Sequence, residues 1–274
     1  MLKQRLLTVA VILPLFLALL FLAPNPVWGI LLGAAVTLGA LEWARLADFS
    51  EKGRIAFGLV VAFSCAALLL MSNLMAQALF DARILVPVCL AATLFWLLLV
   101  PAALHFQWKM RHPVTGTIAG WLILVPSWLA ATALQREPVL LLLLLGAVWL
   151  ADTAAYFTGR RFGKRKLAPR VSPGKTVEGL VGAYVCVLIY AVVVLRVVHP
   201  EAQPAGYLAL LVFAAILTSL SVEGDLFESW FKRQAGAKDS GDLLPGHGGV
   251  LDRIDSVTAT MPFAVLFFAG VLAG

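Results

Sequence analysis

Runs of Leu, Val, Ala and Phe, each long enough to cross a bilayer as a helix, alternate with short polar connectors along the whole chain. A helix needs roughly 20 apolar residues to cross about 30 Å of hydrocarbon. Nine such runs are present, near 6–22, 27–44, 55–72, 84–104, 117–134, 139–157, 177–198, 206–222 and 257–273. No strand-length alternation of polar and apolar positions interrupts them. The expected fold is therefore all-α: a polytopic integral membrane protein with about nine transmembrane helices. Only Ala23-Pro-Asn-Pro26 separates the first two, which predicts a tight pair. Lys3 and Arg5 before the first run give it the outline of a signal peptide, but cleavage after Ala23 would put bulky Phe21 where a small residue is wanted. It is read as a retained span.

Composition agrees. Of 274 residues, 61% are apolar and 13% charged, against about 25% charged in soluble domains; mean hydropathy is +0.94. With the N-terminus inside, 18 of the 21 Lys and Arg residues fall on the inner side, leaving Arg83, Arg136 and Arg196 outside. The positive-inside rule then predicts a cytoplasmic N-terminus, an outer C-terminus and a polar face toward the cytoplasm. The net charge of +6 suits an anionic inner leaflet. The basic residues are spread over five segments, so nucleic acid is not an expected partner.

Polarity divides the chain. Residues 1–138 read as a supporting set of spans with almost no internal charge, and 139–274 as the catalytic part, with a basic loop at 158–176 and a signature loop at 223–256. The segment Ser229–Asp255 holds four aspartates, four Lys or Arg, one histidine and five glycines in 27 residues. Such a polar knot between apolar spans suits polyphosphate and metal. A carboxylate inside a span is costly and marks function by default, which singles out Asp152. Asp225, Glu228 and Ser229 have i, i+3, i+4 spacing, and Asp252 and Asp255 repeat the i, i+3 relation. Two acidic helix ends could converge on magnesium, which takes one or two carboxylates plus phosphate oxygens and water. Gly248 and Gly249 let backbone N–H groups approach an anion at a helix start. Lys232, Arg233, Lys238 and Arg253 can neutralise phosphates, with ordinary inner-leaflet charge as the competing reading, and His247 is a candidate phosphate donor.

Other signals are weaker. Gly174-Lys-Thr176 invites a P-loop reading, but Pro169 stands where the first glycine is needed and no strand is expected before it. What remains is Ser172, Lys175 and Thr176 as phosphate donors at the start of span seven. Glu42, three residues before Arg45, reads as half of a local surface ion pair. His105, His112 and His199 fall at span ends, and Cys65, Cys89 and Cys186 lie far apart within spans with no metal or disulfide spacing.

The pattern Ser229-x-Phe-Lys-Arg-x4-Lys-Asp-x-Gly-x2-Leu-Pro-x-His-Gly-Gly-Val-x-Asp-Arg-Ile-Asp255 resembles the signature of the phosphatidate cytidylyltransferases (CDP-diacylglycerol synthases). Asp152-Thr-Ala-Ala-Tyr-Phe157 and Ser172-Pro-Gly-Lys-Thr-Val-Glu-Gly179 are similar to two further motifs of that family, with Ala154 where it usually has glycine. The motifs cover about 150–256. The resemblance implies CTP and phosphatidic acid as substrates, CDP-diacylglycerol and pyrophosphate as products, magnesium with a possible potassium ion beside it, a homodimer, and residence in the cell inner membrane. It puts the metal-binding aspartates at Asp225 and Asp252. Lys232, Arg233 and Arg253 would then balance charge, and Ser172, Lys175, Thr176, Ser229, Lys238, His247, Gly248 and Gly249 would bind phosphate. Asp152, Glu228, Asp239 and Asp255 would be supporting groups. A transporter would instead place its charges near the bilayer midplane with weak symmetry between halves, and no repeat is visible. A CDP-alcohol phosphatidyltransferase would need a DGxxAR-type motif that this chain lacks. A cytidylyltransferase acting on an ether lipid would share the same site chemistry and differ only in its acceptor.

Overall fold

Proline punctuates the helix starts. Pro26, Pro113, Pro138 and Pro204 each stand in the first helical turn of a span, where a missing N–H costs nothing. The computed structural model describes residues 2–74, 82–108, 112–243 and 248–272, with backbone alone for 2–9, 11–12, 72–74, 82 and 270–271. Its helices are α1 (Leu2–Leu22), α2 (Asn25–Leu46), α3 (Glu51–Leu74), α4 (Ala82–Leu94), α5 (Val100–Phe106), α6 (Pro113–Leu134), α7 (Pro138–Phe162), α8 (Val177–Val198), α9 (Pro204–Gln234), α10 (Leu251–Phe267) and α11 (Ala269–Leu272). Among the described residues, seven spans are long and apolar enough to cross a membrane. The protein is an all-α polytopic membrane protein, as its hydropathy pattern predicts.

Three elements differ from the expectation. The fourth span is one rod interrupted by a π-helical turn, Phe95–Leu99, between α4 and α5. Pro101 follows directly; a proline clashes with the carbonyl four residues back, and widening the helix relieves the clash. The ninth span begins earlier than expected, at Leu251, and α10 ends at Phe267 rather than running unbroken to 273. Finally, the basic loop holds an antiparallel hairpin, β1 (Lys166–Ala168) and β2 (Ser172–Thr176), with Lys166 opposite Thr176 and Ala168 opposite Ser172. Pro169 sits in the tight turn closed by Val171 N–H on the Ala168 carbonyl at 3.1 Å. A strand therefore does precede α8. The Gly174-Lys-Thr run lies inside it, however, so no phosphate-wrapping loop follows the strand.

Helix α10 is the keystone, packing against α9, α6 and α4. Gly224 makes this possible, since a Cβ there would stand 2.5 Å from the Asp255 carbonyl oxygen. The early helices form a second packed group, with α2 against α3 and α6. Trp43 on α2 donates to the Gly116 carbonyl at 2.8 Å and stacks on Phe231 of α9, with ring centroids 4.1 Å apart. Asn25 donates to the Gln135 side chain at 2.7 Å, and Gln135 donates to the Leu20 and Ala23 carbonyls at 3.1 Å, tying the first turn to the end of α6. The histidines behave as span-end residues: His112 caps α6, and His199 ends α8. Cys65 and Cys89 are buried and free.

Candidate active site

Helix α9 runs 31 residues, about 46 Å at 1.5 Å per residue, against roughly 30 Å of hydrocarbon. Its last turns therefore project beyond the apolar layer and carry Asp225, Glu228, Ser229 and Lys232 on one continuous helix rather than in a loop. Helix α7 likewise runs to Phe162, which puts Asp152 roughly three turns from its end instead of the expected one and a half.

These ends enclose a cleft of about 580 Å³ lined by Asp152, Asp225, Lys175, Ser172, Arg160 and Lys166, with Leu180 and Val222 among its apolar wall. Lys175 reaches across from β2 to Asp225 at 2.7 Å, and Ser229 donates weakly to Asp225 at 3.4 Å. Asp152 faces the charges of Asp225 and Asp255 with Lys175 as the counter-charge. Three carboxylates thus share essentially one cation. Thr176 also lines the cleft; buried, its hydroxyl accepts from Gly179 N–H at 3.1 Å and caps α8. Glu178 fixes the hairpin, accepting from the backbone N–H of Lys164 at 2.9 Å and of Arg165 at 3.1 Å.

Beside the cleft lies a second, more buried network. Lys232 pairs with Glu228 at 3.0 Å and with Asp252. The other Asp252 oxygen accepts from Ser240 N–H and Gly249 N–H, both at 2.8 Å, and lies 3.0 Å from the Ser240 hydroxyl oxygen. Lys232 and these backbone donors give the partly buried Asp252 carboxylate the partners that burial demands. Gly248, with φ of +79°, makes the turn that brings the chain over Asp252.

Glu42 completes this network, and its role differs from the surface ion pair expected. It is buried, and accepts from the Ser240 hydroxyl at 2.9 Å and from the N–H groups of Val250 and Leu251 at 3.0 Å. Arg45 turns to the Ser240 carbonyl instead. A carboxylate from α2 thereby caps α10 and closes the signature loop. The available signal was a glutamate inside an apolar span, the same signal that marks Asp152.

The remaining candidates separate by position. Arg233 donates to the Ala237 carbonyl at 3.2 Å, closing the end of α9. Arg253, Lys238 and Asp239 are exposed. Asp255 accepts from Ser256 N–H at 2.8 Å. His247 lies outside the described residues.

For a divalent cation, no three His, Cys, Asp or Glu side chains converge to metal-binding distance among the described residues. Magnesium needs only one or two carboxylates when phosphate and water supply the rest. Asp152 and Asp225, mutually repelling and open to the cleft, fit that demand. Glu228 Oε1, buried without a hydrogen-bond partner, adds to the excess of acceptors.

The model of the cytidylyltransferase family matches residues 3–271. A phosphatidate cytidylyltransferase of Pseudomonas aeruginosa is 44% identical over 279 residues, covering 98% of both chains. One from Haemophilus influenzae is 35% identical over 290 residues, covering 99% of this chain and 100% of its own. A third, from Thermotoga maritima, is 42% identical over 129 residues, 46% of this chain. With similarity running nearly end to end, this chain belongs to the cytidylyltransferase family.

Proposed function

We propose that the protein transfers the cytidylyl group of CTP to phosphatidic acid, giving CDP-diacylglycerol and pyrophosphate for phospholipid synthesis. The observation that carries the reading is the cleft at the helix ends, where Asp152, Asp225 and Lys175 meet between an apolar wall and a basic hairpin. Its relatives in Pseudomonas aeruginosa and Haemophilus influenzae, both phosphatidate cytidylyltransferases, support the same reaction. By the positive-inside rule the cleft opens to the cytoplasm, where CTP arrives.

The attacking group is a phosphate monoester, mostly dianionic at neutral pH because its second pKa is about 6. No side chain need remove a proton. The task is to bring two polyanions together and stabilise the charge that leaves. Magnesium, when bound, would supply that electrostatic stabilisation on the CTP phosphates. Asp225 and Asp152 would hold it; Asp252, the other aspartate singled out by the resemblance, would join them only by releasing Lys232. Lys175 is poised to exchange its bond to Asp225 for a substrate phosphate. Leu180 and Val222 offer an apolar approach for the lipid. The homodimer and the potassium ion rest on the resemblance alone.

The test is pyrophosphate release by detergent-purified protein given CTP, phosphatidic acid and magnesium. Release should need all three and fall by two orders of magnitude or more in Asp225→Asn, roughly the cost of removing one transition-state electrostatic group. Full turnover in that variant, with unchanged magnesium dependence, would overturn the assignment.

A further inference from the structure

The cleft has more cationic groups than its carboxylates employ. Lys175 is taken by Asp225, whereas neither Arg160 nor Lys166 pairs with an acid among the described residues; Arg160 meets only the Tyr156 hydroxyl, at 3.1 Å. Both line the cleft and both are exposed to it. Their placement is built rather than incidental. Arg160 lies eight residues beyond Asp152 on α7, about 12 Å further along the helix. Lys166 is the first residue of β1, and Glu178 anchors the two residues before it through their backbone N–H groups. That carboxylate is thus occupied in holding the hairpin, not in neutralising its lysine. Gly174 of β2 also lines the cleft and has no heavy atom within 4 Å of where a Cβ would stand.

From this geometry we infer that Arg160 and Lys166 form a subsite for the pyrophosphate end of the nucleotide. The inference rests on the proposed reaction and extends it. In that reaction a lipid phosphate oxygen bonds to the α-phosphorus. The bond from the α-phosphorus to the bridging oxygen breaks, and its electron pair leaves with pyrophosphate. Asp152 and Arg160 line one cleft, with the apolar residues Leu180 and Val222 in its wall, and stand about 12 Å apart along α7. A nucleotide with its α-phosphate near Asp225 would therefore extend its β- and γ-phosphates toward the two cations, while the lipid phosphate enters from the apolar side. Arg160 can bind two phosphate oxygens at once, and Lys166 adds a point charge.

Steady-state kinetics on Arg160→Gln and Lys166→Gln, with Lys166→Arg as the charge-retaining control, test the assignment. Each Gln variant should raise the KM for CTP and the inhibition constant of added pyrophosphate about tenfold, the scale of one lost charge-assisted hydrogen bond. The KM for phosphatidic acid should stay within about twofold by the same reasoning, and Lys166→Arg should recover most of the loss. A rise confined to phosphatidic acid would assign the cations to the lipid phosphate and overturn the proposal, as would no change for either substrate. Calorimetric binding of magnesium pyrophosphate to the wild-type protein and to Lys166→Gln separates this inference from the reaction itself. Equal affinity of the two proteins would refute the subsite even in an enzyme with full turnover. About tenfold weaker binding by the variant would uphold it even if the wild type transferred no cytidylyl group.

Discussion

Replacing Glu42 tests the idea that a helix from the first part of the chain holds the catalytic loop in place. Glu42 accepts three hydrogen bonds, from Ser240 Oγ, Val250 N–H and Leu251 N–H. Each bond to a charged group contributes about 1.5–3 kcal/mol. A simple sum overstates the loss, because water can enter next to the exposed loop and the bonds share one acceptor. Glu42→Ala is therefore expected to cost about 3–5 kcal/mol in holding the loop closed, the range for breaking a buried charged partnership. Glu42→Gln keeps the shape but turns an NH2 toward a donor, and should cost about 1.5–3 kcal/mol. The affected backbone runs into Asp252 and Lys232, so the loss should reach turnover. A cost of 1.5–3 kcal/mol corresponds to roughly a ten- to hundredfold lower kcat for Glu42→Gln. A double-mutant cycle with Ser240→Ala isolates the shared bond, with an expected coupling of about 1–3 kcal/mol in ΔΔG‡. The assay is cytidylyl transfer in detergent micelles, with thermal inactivation followed in parallel. Additive effects of the two substitutions, or turnover by Glu42→Ala within twofold of wild type, would refute the reasoning and return Glu42 to the helix surface pair with Arg45.

Two further outcomes follow from the packing. Gly224→Val should inactivate the protein and lower its thermal stability by about 1–3 kcal/mol or more, since its side chain would force α9 away from the Asp255 carbonyl; Gly224→Ala should show the same effect more weakly, and normal melting of both would sink the close-contact argument. Lys232→Met leaves Glu228 and Asp252 without their cation, a loss of about 3–5 kcal/mol. Adding Glu228→Gln should recover part of that stability, and no recovery would separate Glu228 from the network.

Much of the site could be read from the sequence because its chemistry conflicts with its surroundings. Asp152 and Asp225 stand out as carboxylates in or beside apolar runs, but spacing along the chain pairs Asp225 with Asp252, and only the fold brings Asp152, Asp225 and Lys175 into one cleft. Lys232 was foreseen as a cation close to carboxylates, though not as the clamp between Glu228 and Asp252. Thr176 lines the cleft, and its hydroxyl also caps α8, a role that only the position of Gly179 N–H decides. Arg160 and Lys166 passed as ordinary basic loop residues, because sequence cannot tell a solvated hairpin from one folded over a cleft.

The sequence by itself determined that this chain is a helical membrane protein and where most of its helices begin. Those features depend on side-chain transfer energies, proline geometry and spacing along one helix, all of them local. Tertiary structure alone decided that Glu42 holds Ser240, Val250 and Leu251, partners 198 to 209 residues away. It also decided that α10 is wedged between α9, α6 and α4. A buried carboxylate must find donors somewhere, but which donors it finds depends on how the helices pack, and in an apolar span the neighbour at i+3 offers a local answer that the folded protein does not use.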